Sequence, residues 1–304
     1  MRRLSSTLLA GAALILCAGS ASALSFTQVI DVSNTNAATT VLIPALLAPS
    51  SGITVVGGTQ AFQGNILGGT IQVPTDSQTA TFSGFNLAPS SGVTPTLTLP
   101  DGILLTSGSA NLPFTNTVNA FSSFVPGSGS NALLSTLSGS TTNDSNVLSF
   151  DFTVAPGTTS VSAQFVFGTD EFPTQSVTDI FGFFVDGVNY AQFPGGELIS
   201  NTQGNPTNFI LNPVGAGLYG IEYNGLTQTF TVTGLLNTGL STHTIVIGVA
   251  DTNDSIYDSG VFIGGLKAGQ DNGGGITTGV PEPASMALLG AGLLGLGVLR
   301  RRRG

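Results

Sequence analysis

Two short stretches of this chain concentrate carboxylates where few other ionisable groups exist. One is Asp170-Glu171, with Asp179 eight residues on; the other is Asp251-Thr252-Asn253-Asp254-Ser255-Ile256-Tyr257-Asp258. Acids this close repel. At about 5 Å and an effective dielectric near 20, each like-charged pair costs about 3 kcal/mol. Relief comes from proton uptake, from separation into solvent or from a bound cation. Hard oxygen donors with Asn, Ser and Thr nearby favour Ca²⁺. Asp170, Glu171, Asp179, Asp251, Asp254 and Asp258 are therefore the candidate cation ligands. Their spacing is not that of an EF-hand loop. The plain alternative is two solvated acidic turns that never meet, and the distance between the two sets decides between them.

Other chemistries find less support. His243 is the only histidine, lies between Thr242 and Thr244 at the start of a strand, and reads as a solvated edge residue. No serine sits in a G-x-S-x-G context, so there is no nucleophile elbow. A secreted polysaccharide hydrolase would need paired carboxylates in a sugar-lined cleft. Asp170, Glu171 and Asp254 are its candidates, but the chain has no tryptophan and only four tyrosines to stack on a ring. The expectation is a protein without catalytic residues.

The charge distribution sharpens this. Of seven basic residues six lie at the two ends, and of sixteen acids one does. The body Leu24–Gly279 keeps Lys267 alone against fifteen acids, a net charge of −14. Such a body has no basic patch for phosphates, which excludes nucleic acid and disfavours anionic lipid. Divalent cations are the natural partners.

Both ends read as addresses. Arg2 and Arg3 precede an apolar stretch from Leu8 to Ala18, and Ala21-Ser22-Ala23 supplies a small-x-small cleavage site, so 1–23 reads as a signal peptide for the Sec translocon. Cys17, the only cysteine, lies within it, so the mature chain carries no thiol or disulfide. At the other end, Pro281-Glu282-Pro283 is a stiff break before an apolar run, 284–299, and a basic cluster, Arg300, Arg301, Arg302 and Arg303. As a helix the run spans about 24 Å, short for a bilayer core of about 30 Å. The arginines hold its end in the cytoplasm.

The elements between the addresses are strands. Leu148, Phe150, Phe152 and Val154 alternate with Ser149, Asp151 and Thr153, and Val161, Ala163, Phe165 and Phe167 share one face of the next strand. Ile180–Val185 is apolar on both faces and reads as central. Phe165, Phe167, Phe181, Phe183 and Phe184 read as core. Asp186-Gly187 and Asn224-Gly225 are hairpin signals. Residues 107–146 are weakly patterned, with a helical turn expected at 132–137, and Ala45–Ala48 is a second helical candidate. Gly273-Gly274-Gly275 marks 267–279 as a linker. The expected fold is all-β, a jelly-roll-like β-sandwich over 24–266, with one transmembrane sorting helix behind it.

The tail resembles the PEP-CTERM sorting signal of Gram-negative bacteria, matched over 280–304 in the order of motif, short apolar helix and basic cluster. The resemblance implies an exosortase-type sorting enzyme as partner, cleavage near Pro281–Pro283, passage through the inner membrane and delivery to the cell surface or extracellular matrix. A second resemblance rests on Ile103–Gly108, Asn143-Asp144, Phe165–Phe172, Asp179–Phe184 and Ala250–Ile263, in that order. Together these are similar to the choice-of-anchor L family of bacterial surface domains, over about 38–266. The family often has two glutamates where Asp170-Glu171 stand here. It implies a β-rich extracellular module and brings no catalytic residues. The function expected is a non-catalytic protein acting in adhesion or an exopolysaccharide matrix, with Ca²⁺ ordering its acidic loops, in contact with polysaccharide or another surface protein. The alternatives are the hydrolase above and a self-assembling structural matrix protein.

Overall fold

A computed structural model describes residues 23–278, apart from 31–33, 67–75, 91, 93–94, 119–120, 122–127, 176–178, 201–205 and 216–217. The sorting motif, its apolar run, Arg300–Arg303 and most of the signal peptide, Ala21 included, lie outside the described residues. Among the described residues no helix is long and apolar enough to cross a membrane.

Alternation of apolar and polar residues builds two antiparallel sheets. The larger runs β1 (Ser25–Gln28), β4 (Thr79–Ser83), β7 (Gly102–Thr106), β17 (Ser259–Gly269) and β9 (Ser160–Thr169). The far edge of β9 is shared by β14 (Gly225–Leu226) with β13 (Ile210–Leu211), and by β15 (Phe230–Leu235) with β18 (Gly275–Thr278). The smaller sheet runs β11 (Val188–Asn189), β10 (Ile180–Val185), β16 (His243–Thr252), β8 (Thr142–Val154) and β2 (Ile53–Val55). It also holds β12 (Ile199–Ser200) against β10 and β3 (Ala61–Gln63) against β8, while β5 (Asn86–Leu87) and β6 (Leu97–Thr98) form a separate pair. The fold is an all-β sandwich.

The two sheets close on one apolar core. Leu148, Phe150 and Phe152 of β8, Phe181 and Phe183 of β10, and Ile245, Ile247 and Val249 of β16 face Phe165 and Phe167 of β9 and Val261 and Ile263 of β17. Both sheets are also covered on their outer faces. Phe82, Phe85, Leu97, Tyr219 and Tyr223 pack over Leu104, Val166 and Phe262 on the larger sheet. Over the smaller one lies the helix α3 (Ala132–Ser138), with Leu134 against Ile180 and Phe184. That second covering explains why Ile180–Val185 carries apolar residues on both faces. The paired Gly182 and Gly248 make the seat: a methyl group on either would come within 3.2 Å of Leu134.

Several details depart from expectation. Residues 267–269 and 275–278, read as linker, are the end of β17 and the whole of β18, which pairs with β15 and buries Ile276. An apolar residue between paired strands holds the glycine run to the sheet. Asn224-Gly225 is no hairpin turn, because Gly225 itself lies in β14, opposite Thr169. Helix covers more of the N-terminal part than one turn: α1 (Asn34–Ala37), a widened π turn at Ala38–Leu42, and α2 (Ile43–Leu46) follow without a break. Pro44 sits in the first turn of α2, directly behind the π turn. Asp186-Gly187 is a hairpin turn, both residues at positive φ (50° and 81°), as a two-residue turn of this hand requires.

Candidate cation site

Register alone brings the acids together. In the larger sheet Ser259 of β17 lies opposite Thr169 of β9, so the residues one step beyond, Asp258 and Asp170, are neighbours, and Asp170 N–H donates to Asp258 O at 3.1 Å. In the smaller sheet Ala250 of β16 lies opposite Ile180 of β10, which sets Asp251 beside Asp179. The connections from β9 to β10 and from β16 to β17 are two of the crossings between sheets, and both lie at the same end of the sandwich. The two acidic stretches therefore converge. Asp170, Glu171, Asp179, Asp251 and Asp258 are all buried, at 3 % exposure or less. Asp254 stands half-buried at the rim, where its charge acts on Glu171.

One further acid joins them that residue types did not mark out. β8 carries an extra residue where β16 passes from Val249 to Asp251, and Asp144 lies in that bulge at φ 47°. A bulge re-aims the side chain it carries, and the charge of Asp144 reaches Asp251. Asn143, opposite Asp251, donates through Nδ2 to Asp254 O at 2.8 Å and ties the second loop down. Asn224 ties the first, its backbone N–H donating to Asp170 Oδ1 at 3.1 Å and its Nδ2 to Asp170 O at 3.0 Å. Neither asparagine announces this role by spacing. Gly108 is a third supporting residue: the Asp258 carboxylate lies where a side chain at 108 would be, 1.7 Å from an ideal Cβ.

The buried oxygens are not satisfied within the protein. Asp170 Oδ2, Glu171 Oε1, both carboxylate oxygens of Asp179, both of Asp251, and Ser259 Oγ have no hydrogen-bond partner. Buried polar atoms are normally paired, and unpaired charge in a protein interior is far more costly than on its surface. Burial accordingly pushes the carboxyls up. Asp170 rises well above the usual range through burial and the charges of Asp258 and Glu222, against the Asn224 N–H. Glu171 rises to about 9, through burial and the charges of Asp251 and Asp254, with the Asp179 N–H opposing. Asp179 rises through burial and Glu171, tempered by the nearby Ser259 hydroxyl and Asp251. Asp251 rises through burial and Asp179, tempered by the nearby Ser107 hydroxyl, with Asp258 and Asp144 adding to the rise. Asp144, less buried, rises to about 6.

Among the described residues there is no arginine, and the one lysine, Lys267, lies eight residues along β17 from Ser259, roughly 26 Å away. No three His, Cys, Asp or Glu side chains among the described residues already close around one point as a ligand set. The acids converge with their oxygens still apart.

His243 is not the solvated edge residue its surroundings in sequence suggest. It is 5 % exposed, its Nδ1 lies 2.8 Å from Asp186 Oδ2, and its ring packs on Phe152. Asp186 also accepts from the N–H groups of Asn237 and Thr244, so the pair pins the β10–β11 turn to β16. Of the three hydrolase candidates, Asp170 and Glu171 are buried and Asp254 is half-buried.

A family model for the choice-of-anchor L domain matches residues 32–267, most of the chain and every element that shapes the acidic end. The chain belongs to the choice-of-anchor L family. A second model, for the PEP-CTERM protein-sorting motif, matches 279–303. The choice-of-anchor L domain is thus delivered by a sorting signal that begins one residue after β18. The chain is an exported protein processed at the membrane by an exosortase-type enzyme, in keeping with a place at the cell surface. No curated protein and no solved structure matches it significantly.

Proposed function

We propose that this choice-of-anchor L protein is a non-catalytic component of the outer surface or exopolysaccharide matrix of a Gram-negative bacterium, acting in adhesion, with Ca²⁺ ordering its acidic end. Sec export and a transient inner-membrane stage precede its transfer by the exosortase. Once outside, its loops meet polysaccharide or another surface protein.

The observation that carries the cation is the set of buried carboxylate oxygens without partners at the junction of two sheet-crossing loops. Ca²⁺ accepts six to eight oxygens in flexible geometry at about 2.3–2.6 Å. Asp170, Glu171, Asp179, Asp251 and Asp258, with Asp254 at the rim, supply oxygens of the right hardness. Drawing them inward around an ion is what ordering means here. A cation also removes the cost of five mutually repelling buried acids, which proton uptake would otherwise have to meet.

Limited proteolysis tests this directly. In Ca²⁺ the segments 170–179 and 253–258 resist cleavage, and in chelator they become the first sites cut. The same cleavage pattern with and without Ca²⁺ would remove the cation from the account.

A further inference from the structure

We propose that the acidic end holds two divalent cations rather than one, an inference that rests on the cation reading above. Asp170 and Glu171 are adjacent in the chain but are held by different parts of the fold. Asp170 Oδ1 accepts from Asn224 N–H, in the segment leading into β14. Glu171 Oε2 accepts from Asp179 N–H at 3.0 Å, at the entrance to β10.

Asn65 Oδ1 and Asn146 Oδ1 aside, the buried side-chain oxygens without partners divide in the same way. One group is Glu171 Oε1, both oxygens of Asp179, both of Asp251 and Ser259 Oγ. The other is Asp170 Oδ2 and Asn116 Oδ1. The second pair shares a holder, since Asn116 Nδ2 donates to Asn224 Oδ1 at 2.8 Å while Asn224 N–H donates to Asp170. Asn116 is 1 % exposed and Asp170 equally so. Asp258 stands between the groups: its charge acts on Asp170, on Asp179 and on Asp251.

Charge balance points the same way. Six carboxylates are buried here, since Glu222 is fully buried and its charge acts on Asp170. With all six ionised, one divalent ion leaves four negative charges in the interior, and two leave two. The first position is built from Glu171, Asp179 and Asp251, the second from Asp170 and Asn116, with Asp258 bridging. A bridging carboxylate between two hard cations also explains why Asp258 needs its cradle at Gly108, where no side chain fits.

Equilibrium dialysis of the chelator-treated, detergent-solubilised full chain against Ca²⁺ measures the count. Salt at physiological strength screens diffuse attraction to the acidic surface. Two ions bound per chain are expected, falling to one in Asp170→Asn, with Asn116→Ala giving the same loss should Asp170→Asn fail to fold. One ion on the unaltered chain, or more than two, overturns the two-ion inference while leaving the cation reading intact. No ion overturns both. Two ions retained by folded Asp170→Asn and Asn116→Ala overturns the assignment of the second position.

Discussion

Asp179 and Asp251 face each other across a strand pair with four oxygens and no hydrogen bond to any of them. That makes opposite demands of the protein with and without cation. In Asp251→Asn one like charge is gone, so the metal-free protein gains stability, and its thermal midpoint rises by about 2–4 °C for each kcal/mol of repulsion relieved. The same change removes a ligand, so added Ca²⁺ no longer raises the midpoint. Calorimetry of the two proteins with and without Ca²⁺ checks both halves. Gly108→Ala works from the other side: its methyl displaces the Asp258 carboxylate and weakens Ca²⁺ binding at least tenfold, read by titration calorimetry, with no charge altered. The pH dependence has a definite sign. A carboxyl whose folded pKa is raised stabilises the fold below its unfolded value near 4, and loses that contribution as pH rises through its folded value. In chelator, stability therefore declines through about 6, where Asp144 ionises, and again towards about 9, where Glu171 does. Ca²⁺ removes the decline, and unfolding followed across pH in both conditions shows it. Residue types made the six acids visible in sequence. The part that Asp144, Asn224 and Gly108 play in the site was not visible, because a bulge, a loop contact and a close approach leave no periodic mark.

At the scale of elements, the site depends on register. A one-residue slip of β17 against β9 would separate Asp258 from Asp170, and a slip of β16 against β10 would turn Asp251 away. Register is held by the phenylalanine and isoleucine rows of the core, which were legible from alternation alone, and by cover on the outer faces, which was not. Leu134 shows why: a helix of about two turns gains its importance from the glycine pair beneath it, far away in sequence. Leu134→Ala should cost about 2–5 kcal/mol in denaturant unfolding, and Gly248→Val should cost a similar amount by lifting α3 from its seat. β18 is the other element composition disguised. Glycines at 273–275 suggest a tether, yet Ile276 pins the strand to β15. Ile276→Ala should lower stability by about 2 kcal/mol, towards the low end for large-to-small core changes because the strand lies at an edge.

At the scale of the whole molecule, the protein is an acidic sandwich followed by a sorting signal. The C-terminal sorting signal was legible because its three parts have separate physical signatures, and its match begins directly behind β18. Replacing Pro281 and Pro283 by alanine should leave the unprocessed chain in the membrane fraction, as immunoblots of fractionated cells would show. Nearly all positive charge lies at the two ends of the chain, and the domain between them carries fifteen acids against one lysine. The most direct test is the thermal midpoint of the protein at about pH 7.5, in saturating Ca²⁺ and in excess chelator. A midpoint at least several degrees higher in Ca²⁺ is the predicted result, and superimposable melts would contradict the claim that a cation completes this fold.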